Sequence, residues 1–225
     1  MRSGLENLAI IGFMNVPRLT QDSIADIPED ELVGRLLSDQ HWRSGLIELE
    51  GIPRGALDRQ KVPLDTAPGH FSGDVDVLLC AQGRPEQAVA FEWKRIKFGK
   101  SALRTGMPNK LREYNKAVQQ ANRLAAVGFW KVYLYIVVVI DAREQNSGKI
   151  SYEGLSSRLK SLVRSVVTPK GLDQHVGLCE LEFTQPMDYA PLTIGAHGGY
   201  LQRQALAVPQ SEELTKWVAG VFSQN

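Results

Sequence analysis

Apolar residues along the chain fall into a few sharply bounded periods. Leu32, Val33, Leu36 and Leu37 form one stripe at helical spacing, which predicts a helix over about 28–39. Pro28 suits its first turn, and Glu29, Asp30 and Glu31 suit the positive end of its dipole. Strand-like runs at 74–81 and 88–96 flank "QGRPEQ", a hairpin signal. Leu111, Tyr114, Val118, Ala121 and Ala125 then share one face of a helix over about 109–126. "VYLYIVVVI" at 132–140 is apolar at every position, as expected of a strand covered on both sides.

The C-terminal third continues in the same manner. Leu155, Leu159, Leu162, Val163 and Val166 predict a helix near 154–167 that ends before "TPKG". "VGLCELEF" (176–183) alternates like a half-buried strand, and "TIGAHGGYLQRQALAV" reads as loop and strand. "SEELTKWVAGVF" predicts a last helix with Ser211 as its N-cap. Upstream, the first 25 residues are poorly patterned and read as an arm. A short strand is expected near Leu46–Leu49, followed by a loop rich in Pro and Gly up to residue 71. No linker separates two units, so the expectation is a single domain over 1–225. It would have a core over about 27–140 and a C-terminal α+β elaboration over about 150–225. A hairpin ahead of a helical crossover predicts the α/β class, with a mixed β-sheet flanked by helices.

Composition narrows the setting. The 225 residues are 43% hydrophobic and 23% charged, enough for one substantial globular domain. The longest apolar run is about half a membrane span, and the N-terminus lacks the apolar region and cleavage site of a signal peptide. Two cysteines, Cys80 and Cys179, do not make a disulfide framework. A cytoplasmic protein with no membrane partner is the expectation. The net charge of +1 hides an asymmetry: from Trp93 to Lys131 there are ten basic residues and one acid, Glu113. That segment carries +9 and the remainder −8, the footprint of a surface that meets a polyanion on an otherwise acidic protein.

The candidate chemistry precedes and overlaps this basic segment. In "GDVDVLLCAQGRPEQAVAFEWKR" (73–95), four charged residues interrupt apolar strands, and buried charges are costly unless they pair or hold a metal. Side chains alternate along a strand, so Glu92 and Lys94 share a face opposite Phe91 and Trp93. Asp74 and Asp76 are likewise expected opposite Val75, Val77 and Leu79. With an even hairpin register, Asp76 meets Glu92 or Lys94; an odd register separates them. Converging carboxylates beside an amine suit a hard divalent cation, which takes oxygen ligands and keeps several waters. Such a cation makes a coordinated water a better nucleophile, and together with a lysine it neutralises charge developing on phosphate.

Asp76, followed after fifteen residues by Glu92-Trp93-Lys94 on adjacent hydrophobic strands, resembles the PD-(D/E)XK nuclease superfamily, which has a restriction-endonuclease-like fold. The wording "GDVDVLL…FEWK" is most similar to its Holliday-junction-resolvase-like branch. The resemblance covers roughly 27–140. It implies a metal-dependent nuclease that hydrolyses phosphodiester bonds, DNA favoured over RNA, with Mg2+ as cofactor and Mn2+ able to substitute. Roles in DNA repair, recombination or phage defence are implied. Asp76 and Glu92 would be metal ligands, Lys94 the catalytic lysine, and Asp74 a further acid of less defined role. An upstream helix glutamate is also implied. Helical phase puts Glu29 near the middle of the apolar stripe and Glu31 nearly opposite it, so Glu29 is the choice and Glu31 the reserve. Arg95, Lys97, Lys100, Arg104, Lys110, Arg112 and Lys116 would hold the nucleic acid, with Gln119 or Gln120 as an extra polar contact. A homodimer, or a partner protein, fits cleavage of two strands. The alternative is a nuclease-like module that binds nucleic acid or a partner protein without cutting.

Other chemistries find less support in the sequence. "FGKS" (98–101) lacks the glycine that a phosphate loop needs five positions before Gly99. There is no G-x-S-x-G elbow. His41, His70, His175 and His197 are isolated, and His70, four residues before Asp74, reads as structural or surface sooner than as a phosphate contact.

Overall fold

A computed structural model describes residues 27–38, 40, 43–44, 56–98, 111–141, 170–185 and 195–223. The expected strand at Leu46–Leu49 and the expected helix at 154–167 lie outside the described residues. The elements are α1 (Glu29–Ser38), β1 (Leu57–Pro63), β2 (Asp74–Cys80), β3 (Val89–Phe98), α2 (Leu111–Val127), β4 (Lys131–Asp141), β5 (Gly177–Gln185), β6 (Gly195–Arg203) and α3 (Glu212–Ser223). The described strands form one sheet in chain order, β1 to β6. β1, β2 and β3 are mutually antiparallel, β3, β4 and β5 run parallel, and β6 returns antiparallel to β5. A parallel pair needs a crossover, and α2 supplies it between β3 and β4.

Two layers of core cover the sheet. On one face Leu32, Val33, Leu36 and Leu37 of α1 pack with Phe91, Trp93, Tyr133 and Tyr135. On the other, Tyr114, Ala117, Val118, Ala121 and Leu124 of α2 and Leu214 and Val218 of α3 pack with Ala90, Leu134 and Ile136. The aromatic layer is interlocked: Trp93 stacks on Tyr135 at 4.8 Å between ring centres, and Phe91 meets the Tyr135 edge at 5.4 Å. Such pairs each add about 0.5–1.5 kcal/mol beyond their buried area. The Tyr133 hydroxyl accepts bonds from Ala205 N (3.1 Å) and Gln204 Nε2 (2.8 Å). A Cβ on Gly177 would come within 2.3 Å of the Tyr133 ring, so only glycine fits at that point of β5. Ser211 caps α3 as expected, its Oγ accepting from Leu214 N at 3.2 Å.

Two expectations are corrected. β1 lies where a loop was expected, because "LDRQKVP" is an edge strand with a single buried residue, Val62, and so carries no period-2 signal. β5 is not half-buried: Leu178, Cys179, Glu180 and Leu181 are all buried, since β4 and β6 flank the strand and both core layers cover it. Glu180 gave the strand its alternating look, yet it is only 5% exposed. Burial pushes the Tyr114 phenol up, and the Glu180 carboxylate adds to that push.

Candidate metal centre and nucleic-acid cleft

The hairpin register is even. Val77, Leu78 and Leu79 pair with Phe91, Ala90 and Val89, so the next step along the same register sets Asp76 across from Glu92. At that step the sheet forks. β2 continues against β1 as far as Asp74–Pro63, while β3 continues against β4 to Phe98–Ile140. Trp93 and Arg95 therefore present their amides to an edge that β2 has left. Side-chain carboxylates take the place of the lost strand: Trp93 N donates to Asp76 Oδ2 at 2.8 Å, and Arg95 N donates to Glu29 Oε2 at 2.5 Å. Buried amides need acceptors, and here the acceptors are acids from another strand and another helix.

Glu29 also lies 3.6 Å from Lys94 Nζ, so the start of α1 is tied to β3 twice. Its helical neighbours point elsewhere, Asp30 to Lys61 at 2.9 Å and Glu31 to Arg35 on its own helix. The open cleft at the fork, about 280 Å³, is walled by Glu29, Asp30, Val33, Gln60, Lys61, Asp74, Asp76 and Trp93. Glu92 is not among the residues that line this cleft; it is 3% exposed, and its Oε2 has no hydrogen-bond partner among the described residues.

The strict alternation expected of β2 stops at Asp76. Val77 and Leu79 pack on the α1 side, but Val75 packs with Val62 on the α2 side. Opposite Asp76, between the pairs Gln60–Val77 and Val62–Val75, stands Lys61 with φ +50. Its left-handed backbone sits where the pleat reverses. Gly73, with φ +103, turns the chain into β2 just before the acids, a conformation that side chains with a Cβ rarely adopt.

The cluster is electrostatically strained. Burial pushes the Glu92 carboxyl up to about 9; Asp76 adds the largest charge repulsion, and Lys94 opposes it. Burial likewise pushes Asp76 up to about 6, against the Trp93 amide bond, with Glu29 and Asp74 raising it further. Desolvated acids crowded together favour protonation, and a cation reverses that preference. Among the described residues, no three acid, histidine or cysteine side chains are spaced to cage an ion by themselves. An orphaned Glu92 oxygen behind Asp76 does suit a small hard cation that keeps part of its water shell.

The remaining basic residues divide. Arg95 and Lys97 follow Lys94 along β3, each part-exposed, and Lys116 and Gln119 are exposed on α2 with Gln120 half-buried. Arg112 lies in the first turn of α2. Lys100, Arg104 and Lys110 lie outside the described residues. No periodic signal marked Lys61 or Gln60 for the cleft, because β1 reads as loop. His70 Nδ1 lies 2.9 Å from Asp65 O, a contact within its own loop.

No family model matches the chain, and no curated protein matches it. Among solved structures it is similar to SfsA from Pyrococcus furiosus in complex with Ca2+, at 13% identity and a TM-score of 0.29. The match covers 73% of this chain and 62% of that one, so the chain spans less than two thirds of that protein's length. A likeness at this level says nothing about activity. Among the described residues no helix is long and apolar enough to cross a membrane.

Proposed function

We propose that the chain is a metal-dependent nuclease of the PD-(D/E)XK type, hydrolysing phosphodiester bonds with DNA as the favoured substrate. One observation carries the reading: a buried Glu92 oxygen, unpartnered among the described residues, that the hairpin register sets across from Asp76 and on the same strand as Lys94. Asp76 and Glu92 would hold Mg2+ (Mn2+ substituting), with Glu29 and Asp74 at its edge. Bound there, the cation would supply a more acidic water and a positive charge against the phosphate. Lys94 adds a second positive charge, held by Glu29 within reach of the same spot. Water attacks phosphorus and gives up a proton to the solvent, the P–O bond to the leaving sugar oxygen breaks, and that oxygen takes up a proton from the solvent. Arg95, Lys97, Lys116 and Gln119 extend the polar surface along which the rest of the backbone would lie.

The test is single-turnover cleavage of labelled DNA with Mg2+ or Mn2+, comparing the native chain with Lys94→Ala and Asp76→Asn. Cleavage by the native chain alone is expected; equal activity in all three overturns the reading. A second reading is a nuclease-fold module that binds nucleic acid without cutting. The upward push of burial on the Glu92 carboxyl, and the absence of a three-residue cage among the described residues, favour it. Its signature would be salt-sensitive binding by all three proteins with no metal-dependent cleavage.

A further inference from the structure

We propose that Lys61 is a phosphate-contacting residue of the cleft, held ready by Asp30 and transferred to the polyanion when it binds. The proposal rests on the nuclease reading above and adds a binding residue to it. Three observations converge on Lys61. First, it adopts φ +50 inside a strand, directly opposite Asp76 in the β1–β2 register. A side chain in that region costs free energy and persists where the surroundings impose it, often at sites that use it. Its visible compensation is weak: the pair with Asp30 at 2.9 Å leaves the two side chains 58% and 56% exposed, and exposed pairs contribute little to stability.

Second, among the described residues Lys61 is the cation lining a wall that also carries the acids Glu29, Asp30, Asp74 and Asp76. Beyond the charge that a bound cation and Lys94 would bring, four carboxylates in this wall still repel an anionic backbone, and a further positive charge relieves that repulsion. Lys61 can supply it: its hydrogen-bond partner among the described residues is the exposed Asp30 carboxylate on a different element, and Asp74 and Asp76 already draw its charge toward the cleft.

Third, Lys61 borders a second and larger groove, about 710 Å³, between β1 and α3. Arg59, Thr66, Trp217 and one acid, Asp65, stand along it. Lys61 and Gln60 are shared by both spaces, so a strand crossing from groove to cleft passes Lys61. A lysine makes a compact point-charge contact suited to that passage.

The experiment measures binding of a labelled DNA duplex over a salt series in the Asp76→Asn background with Mg2+ present. Adding Lys61→Ala is expected to reduce the slope of log K against log salt by about 1. Lys61→Arg should retain the slope, and Asp30→Asn should tighten binding by freeing the amine. The same three substitutions in the native background give the comparison a second time through KM, should Asp76→Asn fold poorly. An unchanged slope and KM in Lys61→Ala, with the parent still binding and cutting, overturns the assignment and leaves the nuclease reading intact. Absence of both binding and cleavage in the native chain overturns the nuclease reading, and the assignment with it.

Discussion

β3 has two edges and uses them differently. Along one it pairs with β4 without interruption from Val89–Lys131 to Phe98–Ile140; along the other it leaves β2 after Phe91. The continuous edge sets the aromatic layer in place, with Trp93 and Tyr135 in register and stacked. The abandoned edge leaves amides exposed, and Asp76 and Glu29 fill the gap with carboxylates. Ordinary pairing supplies stability, and its withdrawal creates a place for acids in a sheet interior. Glu92 and Lys94 can therefore alternate with Phe91 and Trp93 on one strand without either set displacing the other.

The contrast can be broken from either side. Trp93→Ala should cost about 3–5 kcal/mol in chemical denaturation, as large aromatic truncations in a core do. Lys94→Ala should leave stability within about 1 kcal/mol while lowering single-turnover cleavage about 100-fold or more. A Lys94→Ala protein that unfolds like Trp93→Ala would remove the distinction between the two sets.

pH sharpens the same contrast. Asp76 and Glu92 both have folded values above their ordinary carboxylate range, about 6 and about 9. Folding therefore takes up protons. Their contribution to stability is full below about pH 4, the unfolded carboxylate range, and is lost as pH rises through 6 and on toward 9. Metal-free protein should melt lower at pH 9 than at pH 5, and Glu92→Gln should flatten most of that decline. Added Mg2+ should raise the melting temperature of the native chain more at pH 8 than at pH 6, because its ligands must shed protons first. A melting temperature indifferent to both pH and Mg2+ would remove the strained cluster from the account.

Smaller effects separate neighbours on one helix and one strand. Glu29→Gln should cost about 1 kcal/mol through its bond to Arg95 N, and should slow cleavage. Glu31→Gln, whose partner is Arg35 on the helix surface, should stay within about 0.5 kcal/mol and leave cleavage unchanged. Lys61→Gly should be about 1 kcal/mol more stable than Lys61→Ala, because glycine accepts the left-handed backbone. Equal denaturation midpoints for that last pair would mean the backbone at Lys61 is not strained.

Much of this could be read directly from the chain. Periods of 3.6 and 2 located α1, β2, β3, α2, β4 and α3 to within a few residues, and helical phase put Glu29 rather than Glu31 on the side of α1 that meets β3. Where the reading failed, the reason was environment. β1 is polar because it lies at a sheet edge, and β5 alternates in composition although both of its faces are covered. Lys61 carries no local mark, since its role depends on the strand beside it.

Periodicity and propensity are local, and they sufficed to say which residues carry charge into the sheet and on which strands and helix they stand. That they meet is a property of the folded chain. The even register, the fork that turns Asp76 and Glu29 toward β3 amides, the dry position of Glu92 and the arrival of Lys61 opposite Asp76 depend on contacts between distant segments. Those contacts are set by packing and solvent exclusion, which no short window of sequence contains.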